Sequence, residues 1–429
     1  MNLRQARAWL DAHVNLETGA TPTAGVVGGL SLDRMRSLVT VLGDPQSAYP
    51  VIHLTGTNGK GSTGRMVDAV LRGHGLSVGL YSSPHLETMN ERLVWDGRPI
   101  GDDDLAGLLT DLSALEGLVD GTPSWFELVT AAAFTWFAQV AVDVAVVEVG
   151  LLGRFDATNV ADGIVAVVTN VGRDHTDGGP GWRRTVAEEK AGIVKSGATL
   201  VLGETDPELR SAFEGAEQTW VRGHDFEVER NRAAVGGRVI DLRTPFGRLE
   251  EVYLPVHGAH QGENLALAVT AAEAFFDRAV DVDVVGEALA DLELPGRFEI
   301  LGRDPMVVLD GAHNPDGMAA LATTLQDDFP PVPTTVVVLG MLGGRDPEAM
   351  VAALELGAHD LVLCTTPDSP RAMPAPDVAQ VVQAMGIEVE VEPDVVEALG
   401  RARSIATEDD RIVVTGSLYV VGAARSALR

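Results

Sequence analysis

From about residue 51 onward, short apolar runs alternate with stretches of helical period, and nothing else in the chain limits its fold as tightly. Continuously apolar runs suit strands buried on both faces, and the helices between them supply the crossovers of a parallel sheet. Strands are predicted in "PVIHLTG", "SVGLYSS", "DVAVVEVG", "GIVAVVTNVG" and "ATLVLG", with helices near 61–75, 125–140 and 183–195. The segment "FEVERNRAAVGGRVIDLRTPFGRLEEVYLPV" alternates over short runs with turn residues, which predicts a small antiparallel sheet, and "GENLALAVTAAEAFFDRA" then reads as a helix. Pro295 and Gly296 punctuate the chain. A second alternating series follows, with strands in "MVVLDGAH", "TTVVVLGML", "DLVLCTT", "IEVEVEP" and "RIVVTGS" and helices between them, two of these starting near 315 and 377. Two α/β domains are therefore expected, 1–296 and 297–429, joined by a breaker-rich link of the kind that permits domain motion.

The length of 429 residues agrees with more than one core. Apolar runs are too short to span a bilayer, and the first twenty residues carry acids among their apolar positions, so they predict a helix of the mature protein rather than a signal peptide. Cys364 is the sole cysteine; it excludes intrachain disulfides, fits a reducing cytoplasm, and in "LVLCTT" reads as a small buried hydrophobe. The net charge of −30 argues against nucleic acid or an anionic membrane as partner, and its spread along the chain fits a solvated acidic surface or adaptation to high salt. Of the 32 basic residues only Lys60, Lys190 and Lys195 are lysine. In a chain that otherwise uses arginine, a lysine marks a place that needs a compact ammonium or a primary amine.

"HLTGTNGKGSTGRMVDAVL" fails the usual phosphate-loop spacing, because two residues separate Gly56 from Gly59 and Gly61 stands between Lys60 and Ser62. The physics of an anion site survives the failure. A strand ends near Leu54, glycines let the backbone turn and approach a ligand, and a helix begins near Gly61 with its N–H groups facing outward. Lys60 adds a point charge, and Ser62 or Thr63 offers a hydroxyl to Mg²⁺.

Further polar residues fall at the ends of the neighbouring strands, the rim where open α/β sheets gather their sites. Ser83 and His85 in "SSPHLETMNER" are either site residues or members of a polar loop bonded to itself. Glu148 closes an apolar strand, where a carboxylate is costly unless paired or bound to a cation. Asp174 and His175 close the next one. Serine, glutamate and histidine from three strand ends suit Mg²⁺ or Mn²⁺ better than zinc. Lys190, in "TVAEEKAGIVK", is by itself a surface or ion-pair lysine.

Taken together, "GTNGKGST", "YSSPHL", "NER", "EVGLLGRFDATNV", "DHTD", "EEKAGIVK", "LPGRFE", "DGAHNP" and "GSLYVVG" resemble, in order and over about residues 30–422, the folylpolyglutamate synthase/dihydrofolate synthase family of the Mur ligase superfamily. The resemblance implies a P-loop-type Mur ligase central domain followed by a Rossmann-like C-terminal domain, and an ATP-dependent ligase. Such an enzyme phosphorylates the carboxylate of dihydropteroate or a reduced folate and lets the amine of L-glutamate displace phosphate. By the resemblance, Thr57, Asn58, Gly59, Lys60, Gly61 and Ser62 hold the triphosphate, with Asn264, Arg297 and Asp310 as further ATP contacts, so that the nucleotide bridges both domains. Ser83, Glu148 and His175 bind Mg²⁺, with K⁺ or Mn²⁺ as other ions. Lys190 is carbamylated, and Lys60, Lys190 and His313 carry catalysis. Leu30, Ser31 and Leu32, Ser124, Trp125, Phe126 and Glu127, and Phe155, Asp156 and Ala157 line the pterin site. From the residues alone, Trp125 and Phe126 read as core, and Asp156 and Thr158 as a capping turn. A cytoplasmic monomer acting on small molecules is implied.

The chain departs from the family pattern at Leu152, which replaces a glycine, at "SWFELVT", and at "GGPGW" after "DHTD". These departures bear on the substrate side rather than on ATP. Two other readings compete: amino-acid addition to a cell-wall precursor, disfavoured by "GKGS" and "SPHL", and a nucleotide-binding regulator without turnover, disfavoured by the Glu148, His175 and Lys190 set.

Overall fold

In the computed structural model, which describes residues 1–15, 17, 23–25, 31–174, 176 and 178–429, the apolar runs become the strands of two sheets. The first contains β1 (Val51–Thr55), β2 (Val78–Tyr81), β3 (Leu93–Trp95), β4 (Arg98–Pro99), β5 (Val144–Glu148), β6 (Gly163–Val168), β7 (Thr199–Leu202) and β8 (Gln218–Val221). Their order is β4-β3-β2-β5-β1-β6-β7-β8. The pairs from β2 through β8 are parallel, and only β3 and β4, formed as the chain returns from the 82–92 loop, run antiparallel.

Strand alternation decides which helix each side chain meets. Leu80 and Val146 face the Lys60–Gly73 helix, where a Cβ added to Gly64 would lie 3.5 and 3.9 Å from them. Tyr81, Ala145 and Val147 point the other way, into a core shared with the Asp102–Leu115 and Trp125–Gln139 helices. The register of β1 on β5 pairs Val51 with Ala145 and His53 with Val147, so His53 faces that second core. The loops that follow β1, β2, β5, β6 and β7 all emerge at one rim.

The helix expected over 183–195 is shorter, Trp182–Ala191. A Cβ on Gly192 would lie 2.5 Å from Arg154, so neighbouring backbone occupies the space where the next turn would run. The antiparallel segment forms β9 (Glu227–Ala234), β10 (Gly237–Thr244) and β11 (Gly247–Leu254), joined by two-residue turns.

The second sheet contains β12 (Glu299–Arg303), β13 (Met306–Leu309), β14 (Thr335–Leu339), β15 (Leu361–Cys364), β16 (Glu388–Val391) and β17 (Arg411–Thr415) in the order β12-β13-β17-β14-β15-β16. All its pairs are parallel except the β12–β13 hairpin. Four of its helices start where the sequence supplies side-chain caps: Asn314 and Asp346 each precede a proline, and Asp394 and Ser417 also accept first-turn N–H groups. Cys364 is fully buried at the end of β15, and burial pushes its thiol up to about 12, so it behaves as a small hydrophobe.

By contacts the chain divides into two units. One holds Met1–Arg232, Val239–Leu254 and Gln261–Leu292; the other holds Ala233–Arg238, Pro255–His260 and Glu293–Arg429. Among the described residues no helix is long and apolar enough to cross a membrane.

Candidate active site

The glycine-rich loop occupies residues 56–59 between β1 and the helix that starts at Lys60. Two of its glycines are there for space as well as for angle. Gly56 has φ 153°, and a Cβ on it would lie 1.7 Å from Thr169 Oγ1. Gly59 has φ 85°, and a Cβ there would lie 2.4 Å from Asn264 Oδ1. The loop is clamped from the end of β6. Asn170 Oδ1 accepts from the N–H groups of Thr57 (3.2 Å) and Asn58 (3.0 Å), while Thr169 Oγ1 and Asn170 Nδ2 donate to Asn58 O at 2.6 and 3.0 Å. Thr57 Oγ1 both donates to Gly172 O and accepts from Gly172 N. Lys60 Nζ donates to Gly56 O (3.0 Å) and Thr57 O (3.3 Å), which folds the ammonium back over its own loop. The first turn of the helix directs its N–H groups toward this loop.

Asn264, on the His260–Phe276 helix, reaches the same place: Thr63 Oγ1 donates to its Oδ1 at 3.4 Å, and its Nδ2 donates to Gln261 Oε1 at 2.9 Å. Ser62 is buried in the first turn.

Ser83 and Glu148 are brought together from β2 and β5, with Ser83 N donating to Glu148 Oε2 at 3.3 Å. Glu148 is buried at its strand end, and a Cβ on Gly61 would lie 3.5 Å from Oε2, so the carboxylate overlooks the loop. His175 lies outside the described residues. Among those described, no three His, Cys, Asp or Glu side chains come close enough together to hold a metal ion.

Lys190 is not the surface lysine that its own neighbours in sequence imply. It is 4% exposed on the Trp182–Ala191 helix. Burial first, and then the Lys60 ammonium, push its amine down to about 7, against a smaller upward pull from Asp174. Lys195, which the sequence leaves unexplained, donates to Asn159 O at 3.1 Å and lies 3.6 Å from Asp162.

On the substrate side, packing and capping account for several expected residues. Ser124 and Glu127 form a reciprocal capping box, and Glu127 also meets Arg34 at 3.3 Å. Trp125 is buried, donates to Asp11 Oδ1 at 3.1 Å and carries the Arg92 guanidinium 4.7 Å above its ring. Phe126 is half-buried over Gly150, where a Cβ would lie 2.4 Å from Cζ. Asp156 is buried, with Oδ2 accepting from Leu151 N (2.8 Å) and Oδ1 from Thr158 N (3.0 Å) and the Thr158 hydroxyl; burial raises it to about 6. Phe155 is half-buried and Ala157 buried. Ser31 Oγ caps Asp33 N at 3.0 Å, and Leu32 is buried; Leu30 is outside the described residues.

In the second unit, Asp310 takes the N–H groups of Phe298 and Ala312, both at 2.8 Å, and sits beside Arg297, which offsets part of the rise that burial gives its carboxyl. A Cβ on Gly311 would lie 2.3 Å from Arg297 Nη1. His313 Nδ1 lies 2.8 Å from Gly311 O.

Two groups of residues take part in the site with no role that the motifs assign them. Thr169 and Asn170 follow the apolar run of "GIVAVVTNVG", and polar letters at a strand end signal that the sheet is giving way to a site. Glu91 and Arg92 of "NER" shape the 82–92 loop. Glu91 accepts from Leu86, Glu87 and Thr88 N–H at 2.8, 3.0 and 2.7 Å. The buried Arg92 binds Glu17 through both terminal nitrogens and His85 Nδ1 at 2.9 Å.

The class is shown by the sequence: residues 120–272 match the Mur ligase middle domain and 296–418 the Mur ligase glutamate ligase domain. The dihydrofolate synthase/folylpolyglutamate synthase of Mycobacterium tuberculosis is 37% identical over 437 residues, covering 92% of this chain and 89% of that protein. The structure of M. tuberculosis folylpolyglutamate synthase complexed with ADP and AMPPCP superposes with TM-score 0.91 at 35% identity, over 99% of this chain and 98% of that one. Escherichia coli FolC in complex with DHPP and ADP gives TM-score 0.86 at 30% identity, over 99% and 97% of the two chains. The chain belongs to the dihydrofolate synthase/folylpolyglutamate synthase family of ATP-dependent glutamate ligases.

Proposed function

We propose that this protein joins L-glutamate to the carboxylate of dihydropteroate or a reduced folate at the expense of ATP. The observation that carries the reading is the buried Lys190, whose amine the Lys60 ammonium helps to push down, together with a glycine loop locked by Thr169, Asn170 and Asn264. A free carboxylate is a poor electrophile, so the γ-phosphoryl group is first transferred to it. The glutamate amine then adds to the acyl phosphate carbon, loses a proton, and inorganic phosphate leaves. Transfer of this kind needs positioning and charge neutralisation more than covalent help.

Thr57, Asn58, Gly59, Gly61 and Ser62 are assigned to the triphosphate, with Lys60 neutralising charge as it builds on the transferred group. Asn264, Arg297 and Asp310 are assigned to the nucleotide, and His313 to catalysis. Ser83 and Glu148 offer oxygens for Mg²⁺ or Mn²⁺, an ion that commonly takes one or two carboxylates and completes its shell with phosphate oxygens and water. His175 is assigned to the same ion and K⁺ to a supporting role. A divalent ion there would withdraw charge from the phosphoryl oxygens. On the acceptor side the assigned residues are Leu30, Ser31, Leu32, Ser124 to Glu127 and Phe155 to Ala157.

Carbamylation of Lys190 fits its surroundings. Only a neutral amine adds to CO₂, giving a carbamate and releasing a proton, and an amine lowered to about 7 is substantially neutral at physiological pH. The product gives the Lys60 ammonium an anionic neighbour in place of an amine whose charged form it disfavours. The protein is assigned to the cytoplasm as a monomer acting on small molecules, and the net charge of −30 agrees with the absence of nucleic acid and anionic membrane from its partners.

The test is phosphate release from ATP with the acceptor and L-glutamate supplied separately and together, followed by weighing of the product. Release that requires both, with a mass gain of one glutamyl residue, is expected. Lys190→Ala is expected to lower turnover by about a thousandfold or more. Protein labelled with ¹³C-bicarbonate should show a carbamate carbon that this variant lacks; an unaffected rate, or no such carbon in the parent, would sink the carbamate.

A further inference from the structure

β1 is the central strand of the first sheet, flanked by the wholly apolar β6 and by β5, which is apolar up to Glu148, yet its middle residue is a histidine with no solvent exposure. The imidazole has room because Gly163 stands beside it: a Cβ on that glycine would lie 3.0 Å from His53 Cβ. Its Nε2 is 2.9 Å from Thr158 Oγ1, while its Nδ1 is buried without a hydrogen-bond partner among the described residues. An orphaned ring nitrogen in a strand core costs stability that an aliphatic side chain would not. Something about the Nε2 contact offsets that cost.

The direction of that bond follows from its neighbour. At neutral pH the Asp156 carboxylate can only accept, and the Thr158 hydroxyl donates to it, so the Thr158 oxygen accepts from His53. Burial, with Lys195 adding to it, pushes His53 down to about 3, which keeps the ring neutral. A neutral ring that donates from Nε2 carries no proton on Nδ1, so the lack of an acceptor beside Nδ1 among the described residues agrees with this tautomer.

The segment so held, 150–160, is tied at several other points. Thr55, on the same face of β1 as His53, donates to Leu152 O at 2.6 Å. Asn159 Nδ2 donates to Arg154 O (2.9 Å) and Gly192 O (3.0 Å), and Lys195 reaches Asn159 O. Arg154 N donates to Glu189 O at 2.8 Å, and a Cβ on Gly153 would lie 3.2 Å from Lys190 Cα. One loop therefore runs from Glu148 to the helix of Lys190, and the strand that feeds the phosphate loop supports it from below.

We infer that His53 is a positioning residue, whose bond through Thr158 to Asp156 fixes the 150–160 loop against β1 and so places the pterin-bearing acceptor relative to the phosphate loop. The inference rests on the proposed function for the identity of the acceptor and on the structure for the support. It also separates binding from stability, since replacing an orphaned imidazole by an aliphatic group removes a buried polar atom.

The test uses the full chain with His53→Leu, His53→Gln, Thr158→Val and the Leu/Val double variant, assayed with dihydropteroate, ATP and L-glutamate. The expected result is a KM for dihydropteroate raised about tenfold in His53→Leu, with KM for ATP within about twofold and no loss of melting temperature. His53→Gln, whose amide nitrogen can donate from a similar place, should recover most of the binding, and the double variant should be no worse than Thr158→Val. An unchanged KM for dihydropteroate in His53→Leu, or a glutamine variant as impaired as the leucine one, overturns the inference. Hydrogen exchange at the Leu151 and Thr158 amides reads the support without any substrate: it should quicken in His53→Leu and not in His53→Gln, and equal exchange in the two overturns the positioning role. If the parent shows no glutamate-dependent turnover, it is the ligase reading that falls, while the exchange data still decide on His53.

Discussion

Single positions in this chain are decided by what a Cβ would strike and by which backbone angles it permits. At Gly59 both constraints act, through φ 85° and the 2.4 Å approach to Asn264 Oδ1, whereas Gly75 has φ 88° with nothing within 4 Å. Gly59→Ala and Gly75→Ala should therefore each cost about 1 kcal/mol of stability from backbone strain. Only Gly59→Ala should weaken ATP binding, by about tenfold or more in a calorimetric titration; equal affinities in the two variants would refute the cradle. Leu152 is the opposite case, a bulky residue at φ 57° where the family pattern has glycine, and it is nonetheless buried. The left-handed backbone costs about 1 kcal/mol and the buried side chain contributes about 2 kcal/mol, so Leu152→Gly should lower stability by about 1 kcal/mol in urea denaturation. A gain would mean that strain outweighs packing there. The glycines of the 56–59 loop are legible in sequence because residue type and the place between a strand and a helix state the need, although the spacing departs from the usual pattern. The Leu152 angle is not, because it is imposed by the 2.6 Å bond from Thr55 to Leu152 O and by the loop around it.

Elements follow the local sequence wherever their ends are capped from within. Ser124 and Glu127, three residues apart, predict the start of the Trp125–Gln139 helix, and Asn314 before Pro315 predicts another. The His260–Phe276 helix has a buried acid in its last turn that periodicity alone would make apolar. Glu273 accepts from Thr244 Oγ1 at 3.1 Å, and burial raises its carboxyl to about 7 from 4.5, outweighing that bond and those from Val280 and Phe246 N–H. Because the folded state then holds the proton more tightly than the unfolded one, this group's contribution is fully present below pH 4.5 and is lost as pH rises through 7. Glu273→Gln should flatten that fall, by on the order of 1 kcal/mol between acidic and neutral pH, in paired urea melts. Parallel curves for parent and variant would show that the group is not linked to stability. The overlong expectation for the Lys190 helix failed for a similar reason, since Gly192 stops beside Arg154, a residue far away in sequence.

For the molecule as a whole the dominant long-range term is the charge of −30, carried by 62 acids against 32 basic residues. Self-repulsion at that density is screened as the Debye length falls from about 10 Å at 0.1 M salt to about 3 Å at 1 M, so the melting temperature should rise by several degrees as KCl is raised over that range. A flat or falling trend would mean that local ion pairs, such as Arg92–Glu17 and Arg238–Asp328, outweigh the net repulsion.

The sequence by itself determined the alternation of strands and helices, the glycine loop, the ordered motifs and hence the family, because each of these is written in period, residue type or spacing over a few tens of residues. The tertiary structure alone decided that Lys190 is buried, with the Lys60 ammonium acting on its amine, that Thr169 and Asn170 lock the loop, and that His53 meets Thr158 beneath the 150–160 loop. Each of those depends on which residue the sheet order sets beside another, and burial and proton affinity are properties of that neighbourhood rather than of the letter.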